Sequence, residues 1–467
     1  MRLKTAYKFF SFILLLGFSV QAASTLDAKL EALIQQEDYV LGLEVRDMAT
    51  GEVLFQKNAS QLMKPASLQK IPASLVALKH LGEKYTFRTS IGYNNRDVFV
   101  HFMGDPTFCL THLVELFKIY KKKQGNVIRG NIYINRIQYP AFPHQDGWSV
   151  DSARFLYGAL ISNININNNS VCVRIVPPKS CGKNPEVVYD ADQPPYKVIN
   201  AMHIGKCNDY TRVQRQDCQF DGKVVSIKGC VPFKSNPFRV CLPIKEHQFE
   251  AFVSDAIKAA VKEAGLSFSG KVLFKPFDRK AIKVVSVHHS APLAEMLKIG
   301  MKDSKNVVME GLMVPIAMAR PFYFRKESAL DEFLKAKIKE YGLGDLGNAR
   351  LSDMSGLSHH NLLSPAHVGQ MLWHASRCYP CFSLWKETFA LGGEDGTVSK
   401  RLKKAKENVK VYAKTGTLLG VSNIAGYIEK NGQKTVSFVL MMQNFTKEPS
   451  FYKGLQEKII YYLAHII

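Results

Sequence analysis

The sequence predicts an α+β fold: an antiparallel five-stranded sheet with helices on both faces, interrupted by an inserted β-rich region. Three observations predict it. Two alternating apolar runs near the start and three near the end read as strands. Amphipathic helical stripes stand before the first run and after the last. A long turn-rich stretch separates the two groups, and 467 residues are too many for one compact core.

The first element is a targeting segment. Arg2, Lys4 and Lys8 precede the apolar run Phe9 to Val20, and Val20-Gln21-Ala22 offers a small-residue cleavage site, so residues 1–22 read as a signal peptide. The apolar run is too short to span a bilayer comfortably, and no cysteine follows the cleavage site to carry a lipid. The mature chain is expected to start near Ala23 and to be exported.

Leu26, Leu30, Leu33 and Ile34 then mark one face of a helix. Strands over Leu41–Met48 and Glu52–Gln56 follow, joined by Ala49-Thr50-Gly51. Pro65 and Ala66 lead into a helix with Ser67 near its first turn and Ile71, Leu75 and Leu78 facing inward. From Thr86 to about Lys280 the sequence is turn-rich and β-leaning, with a helix at Phe252–Gly265. Residues 86–281 are therefore expected to be an insertion of two nested subdomains, splitting a catalytic domain of residues 23–85 and 282–467.

Ala291–Ala319 returns the chain to the first domain as helix. Strands are expected at Val411–Thr417, Ser422–Glu429 and Thr435–Gln443, the last two joined by the hairpin signal Asn431-Gly432. A final helix carries Phe451, Leu455, Ile459, Ile460, Leu463, Ile466 and Ile467 in a stripe. Packing on the sheet is the first reading of that stripe; lying on a membrane surface is the alternative.

The net charge of +22 suggests a polyanionic partner. Export and the scatter of the basic residues, outside Lys121–Lys123 and Lys400–Lys406, exclude nucleic acid. An anionic envelope polymer or peripheral membrane contact fits better, with plain solubility as the other reading. Nine cysteines suit an exported chain. Cys218 and Cys230 flank a strand-turn-strand stretch and are the expected disulfide. Cys378-Tyr379-Pro380-Cys381 has redox-motif spacing but no surrounding βαβ pattern, so a structural bridge or a reduced pair is expected there. No cofactor is called for, because the chain has no His-Glu-x-x-His and no phosphate-binding glycine loop, and His288-His289 and His359-His360 lack partners at ligand spacing.

Three short signals carry the chemistry: Ser67-Leu68-Gln69-Lys70, Ser304-Lys305-Asn306 and Lys414-Thr415-Gly416. Ser-x-x-Lys also begins at Ser180, Ser383 and Ser450, whereas the other two signals are unique. A serine hydroxyl is a weak nucleophile until a base takes its proton. Lys70, three positions on along a helix, shares a face with Ser67 and acts as that base if it is neutral. Burial and a nearby cation such as Lys414 both favour the neutral form. A helix-start N–H and the N–H of Thr417 on an edge strand suit an oxyanion hole. Gly416 lets a peptide lie close to the strand, and Thr415 and Thr417 offer hydroxyls to a carboxylate. Ser304 is placed to relay a proton and Asn306 to orient an amide. Read singly, Ser67 serves as a helix N-cap, Lys414 as a guard on an edge strand, and Ser304 and Asn306 as turn formers. None of those readings explains their joint order.

The chain resembles the class C low-molecular-mass penicillin-binding proteins, the DacB type of D-alanyl-D-alanine carboxypeptidase and endopeptidase. The three signals carry the resemblance together with Gly104-Asp105-Pro106-Thr107, Gly147-Trp148, Tyr157-Gly158-Ala159, Asp353 to Ser358 with Asn361 and Ser364-Pro365, Asp395-Gly396-Thr397, and Gly420-Val421. It implies a penicillin-binding transpeptidase-like domain with inserted domains, Ser67 as nucleophile, Lys70 as base, and Ser304, Asn306 and Lys414 as catalytic partners. It also implies Thr415, Gly416 and Thr417 as substrate-binding, Asp151 as the acceptor of a diaminopimelate amino group, peptidoglycan stem peptides as substrate, β-lactams as covalent inhibitors, and a periplasmic location. Lys305 departs from the family, which usually has Asp or Asn there, and Met354 replaces an expected glycine. A β-lactamase and a catalytically decayed wall-binding scaffold are the competing readings.

Overall fold

The computed structural model describes residues 28–466 apart from 35–37, 137–144, 179–182, 190–192, 195, 206, 208–216, 234, 321–323, 325, 327, 379–380 and 404–407. The expected signal peptide and Ser180 lie outside the described residues, as does the side chain of Cys378.

The five expected strands all form, at Val40–Asp47, Val53–Lys57, Val409–Leu418, Val421–Lys430 and Gln433–Gln443. They lie antiparallel, with Gln433–Gln443 joining the late hairpin to Val40–Asp47. A sixth strand, Ala390–Leu391, adds to the outer edge of Val409–Leu418, where it pairs with Ala413 and Tyr412. Two residues carry no readable alternation, which is why the sequence did not show it. Asn431 and Gly432 both sit at positive φ, 53° and 77°, as a two-residue hairpin requires.

The strands are apolar on both sides because both faces are covered. Leu41, Leu43 and Val45 pack with Leu30 and Ile34 of the 28–34 helix and with Leu455, Ile459, Ile460 and Leu463 of Pro449–Ile466. The middle of that stripe is thus taken up by the sheet while Phe451 and Ile466 stay exposed, and no helix among the described residues is long and apolar enough to cross a membrane. The opposite face, with Tyr427, Val439 and Met441, meets Ile71, Leu75 and Leu78 of the Lys70–Leu81 helix, which lies in the same core.

Between these parts stands a second five-stranded sheet: Val272–Phe274, Ile132–Ile134, Asp97–Phe102, Arg88–Asn94 and Lys283–His289. Two helices, Leu110–Gln124 and Phe249–Glu263, bury their apolar faces in its core. The first of them was not expected; its apolar Leu110, Leu113, Val114 and Phe117 run straight into three lysines. Two three-stranded sheets and one two-stranded sheet complete the described part of the segment.

Cys230 bonds Cys207 rather than Cys218, and Cys172 bonds Cys241. Register is the reason: Cys218 lies opposite Ile227, so the strand pairing holds it away from Cys230. Cys381 donates to a Glu83 carboxylate oxygen at 3.6 Å.

Candidate active site

Ser67 sits in a 3-10 turn, Ala66–Gln69, that runs directly into the Lys70–Leu81 helix. The turn is clamped from two sides. The Gln69 amide donates to the Asp353 carbonyl at 2.9 Å, and the Asn423 amide donates to the Lys64 and Pro65 carbonyls, both at 2.9 Å. Ala66 takes φ 48°, a left-handed conformation that only such surroundings impose on a non-glycine residue.

Lys70 is fully buried. Its Nζ donates to Ser67 Oγ at 2.8 Å, to Asn306 Oδ1 at 2.7 Å and to the Ser355 carbonyl at 2.6 Å. Burial pushes its pKa down to about 7, against the opposing pull of Asp353. Burial, rather than the neighbouring Lys414 cation, is what lowers it. The other described Ser-x-x-Lys copies differ: Lys386 is held by Glu429, and Ser450 is exposed.

Ser304 occupies the break between the Leu293–Lys302 and Asn306–Gly311 helices, at φ 56°. Lys414 Nζ donates to Ser304 Oγ at 3.0 Å and to the Thr415 carbonyl at 2.8 Å. Its pKa lies well below the ordinary lysine value, through burial first and the Lys70 charge second. Asn306 accepts from Lys70 on one side and donates from Nδ2 to the Tyr157 carbonyl at 3.0 Å on the other. The Lys305 side chain is exposed.

Beyond Ala413 no described strand pairs with the outer edge of Val409–Leu418, so Lys414 to Leu418 form an open edge. Gly416 faces the nucleophile turn so closely that an added Cβ would lie 2.7 Å from the Pro65 carbonyl oxygen and 3.1 Å from Ser67 N. Thr415 Oγ1 donates to Thr397 Oγ1 at 2.8 Å, and Thr417 is exposed on the same edge. The structure therefore gathers Ser67, Lys70, Ser304, Asn306, Lys414, Thr415, Gly416 and Thr417 into one cleft. The Asp151 side chain is 79 % exposed, with Arg154 Nη1 at 3.8 Å as its ion-pair partner. It lies on a short 3-10 turn, Val150–Arg154, whose side chains at positions 150 and 151 point to solvent.

Glu310 went unnoticed in the sequence. It is buried, accepts from the backbone N–H of Met354 and Ser355 at 3.2 and 2.9 Å, and burial raises its carboxyl to about 8. Its position six residues after Ser304, inside an apolar helix, was the one available signal. Asp353 organises the neighbouring loop, accepting from the N–H of Gly356 and Ser358 at 2.7 Å each and from Trp148 Nε1 at 2.9 Å. Met354, where a glycine was expected, is fully buried in the core.

A serine hydroxyl held by a buried lysine that titrates near neutrality, beside an open strand edge, has the geometry of a serine peptidase that works through an acyl-enzyme with lysine as base. The chain belongs to the D-Ala-D-Ala carboxypeptidase 3 (S13) family, whose model matches residues 26–463, and is a serine DD-peptidase. The D-alanyl-D-alanine carboxypeptidase DacB of Haemophilus influenzae is 25% identical over 93% of this chain and 92% of its own length. A D-alanyl-D-alanine carboxypeptidase of Actinomadura is 25% identical over 89% of this chain and 81% of its own. The crystal structure of penicillin binding protein 4 from Haemophilus influenzae matches with a TM-score of 0.78 at 24% identity, covering 94% of this chain and 99% of that one. The DacB-type resemblance and the fold class are borne out.

Proposed function

We propose that this protein hydrolyses the D-Ala-D-Ala terminus of peptidoglycan stem peptides, and the D-Ala–diaminopimelate cross-link by the same chemistry, through an acyl-enzyme on Ser67. The observation that carries the assignment is the Lys70 Nζ to Ser67 Oγ hydrogen bond of 2.8 Å at a lysine with a pKa of about 7. Lys70 takes the Ser67 proton as Oγ attacks the penultimate D-alanine carbonyl. The N–H groups of Ser67 and Thr417 hold the oxyanion. As the C–N bond breaks, the amine leaves with the proton that Lys70 took from Ser67, returned through Ser304, so that Lys70 is neutral again for deacylation. Thr415 and Thr417 hold the terminal carboxylate, and water then attacks the acyl-enzyme.

A β-lactam enters as a substrate whose leaving group stays tethered, which leaves Ser67 acylated. The apolar run before Ala23 supports export to the periplasm, where the basic surface meets anionic envelope polymer or membrane. Labelling of the mature protein with a fluorescent penicillin, alongside Ser67→Ala and followed by peptide mass spectrometry, tests the assignment. A lasting adduct on Ser67 supports it. No label with intact penicillin favours the decayed scaffold, and rapid loss of penicillin without an adduct favours a β-lactamase.

A further inference from the structure

A cavity of about 1060 Å³ opens beside the second motif. One wall is the segment 303–308, which carries Ser304 and Asn306; Ser67, Lys70 and Lys414 are not on its walls. Its lining also includes Arg174 and Arg239, which face each other directly on the antiparallel strands Ser170–Val176 and Phe238–Pro243. Both are exposed. Two guanidinium groups on directly opposed positions of a ladder concentrate positive charge on this wall. Lys305, the cation that departs from the family pattern, lines the same space, and Asp303 is the acid among the described lining residues.

Two further features mark the cavity as built. Asn167, Asn168 and Asn169 take φ of 54°, 55° and 48° in succession, and the first two line the wall immediately before the strand that presents Arg174. Asparagine tolerates this left-handed conformation, so the turn holds its place in the wall without large strain. Phe155 and Tyr157 stack at 5.0 Å with rings 7° from parallel, forming a flat apolar wall. The Tyr157 carbonyl is also the acceptor for Asn306 Nδ2, and Asn306 in turn holds Lys70. A ligand on that wall therefore bears on the catalytic lysine through two hydrogen bonds.

We propose that the cavity is a second substrate subsite that takes a carboxylate of the peptidoglycan stem, with Arg174 and Arg239 as its counter-charges. It rests on the DD-peptidase reading for the identity of the polymer. Arginine is suited to the role because its planar fork meets a carboxylate with two parallel hydrogen bonds. Occupancy aligns the Tyr157–Asn306–Lys70 chain, so a stem bearing the carboxylate is favoured over its amidated form.

Calorimetric titration of the full chain carrying Ser67→Ala tests this without catalysis. The probes are the peptide L-Ala-γ-D-Glu-L-Lys-D-Ala-D-Ala and the same peptide with the D-glutamyl α-carboxylate as a carboxamide. The acid form is expected to bind at least about tenfold tighter, the preference falling to near unity in Arg174→Ala/Arg239→Ala and being reduced but not lost in Arg174→Lys/Arg239→Lys, which keep the charge without the fork. Equal affinity for both peptides, no binding of either, or an unchanged preference in the alanine variant overturns the proposal. If the preference is present but wild type releases no D-alanine, the DD-peptidase reading falls and the subsite stands. D-alanine release with no preference removes only the subsite.

Discussion

The Lys70 ammonium nitrogen lies 2.7 Å from the side-chain oxygen of Asn306, a residue 236 positions further along the chain. That contact ties the first motif to the second with a neutral acceptor, which leaves the lysine free to lose its proton. Replacing Asn306 by Asp puts a carboxylate in that place. An opposite charge so close raises the Lys70 pKa by about one to three pH units. Penicillin acylation of Asn306→Asp at pH 7 is expected to fall at least tenfold and to recover as pH rises. A loss that pH does not restore would contradict the electrostatic account.

Wild-type acylation is expected to follow the neutral form of Lys70, whose pKa burial lowers to about 7. The rate falls tenfold for each pH unit below that value and levels off above it. Lys70→Arg cannot supply a neutral base, since a guanidinium keeps its proton. Its acylation rate is expected to drop by about 10²–10⁴ at every pH, read by stopped-flow penicillin labelling.

Two glycines separate positioning from stability. An alanine at 416 places its Cβ 2.7 Å from the Pro65 carbonyl oxygen and moves the open strand edge off the nucleophile. Gly416→Ala is expected to lose about 10²-fold in acylation and, because its Cβ also meets backbone, to lower the melting temperature, though by less than Gly356→Ala does. An alanine at 356 meets the Ala66 carbonyl oxygen at 1.8 Å and must hold φ 84°. Gly356→Ala is expected to lose about 1–3 kcal/mol or more in urea unfolding, because backbone faces backbone there.

Glu310, with its carboxyl at about 8, carries a proton at pH 7. An unfolded glutamate releases its proton near the ordinary value of 4.5, so the native state binds more protons between those values and loses stability as pH rises through that window. Glu310→Gln keeps an acceptor for the Met354 and Ser355 N–H groups and removes this dependence. Its acid limb of acylation is expected to match wild type below pH 8. Glu310→Ala strands two buried donors and is expected to cost about 1–3 kcal/mol for each. Denaturant curves at pH 5 and pH 8 distinguish the two variants.

Much of the site was legible because its signals are local. Ser67 and Lys70 share a helical face by spacing alone, and Thr415, Gly416 and Thr417 share a strand edge. Apolar runs long enough to show a period gave the five strands and the first and last helices. The Cys218–Cys230 pairing failed because disulfide choice depends on register between strands, and register placed Ile227 opposite Cys218. Asp151 rests on the family resemblance near Gly147-Trp148 alone; Trp148 turns inward to Asp353, and Asp151 stays exposed beside Arg154.

The sequence by itself determined which residues are available for catalysis and in what order, and it determined the sheet that carries them, because spacing and hydrophobic period act over a few residues. Only the tertiary structure decided that Lys70 loses its proton near neutrality, that Glu310 and Asp353 stand behind it, and that Asn306 links it to the Tyr157 carbonyl. Those properties come from desolvation and from contacts between segments far apart in the chain. Both depend on which surfaces close over a group, and no local pattern records that.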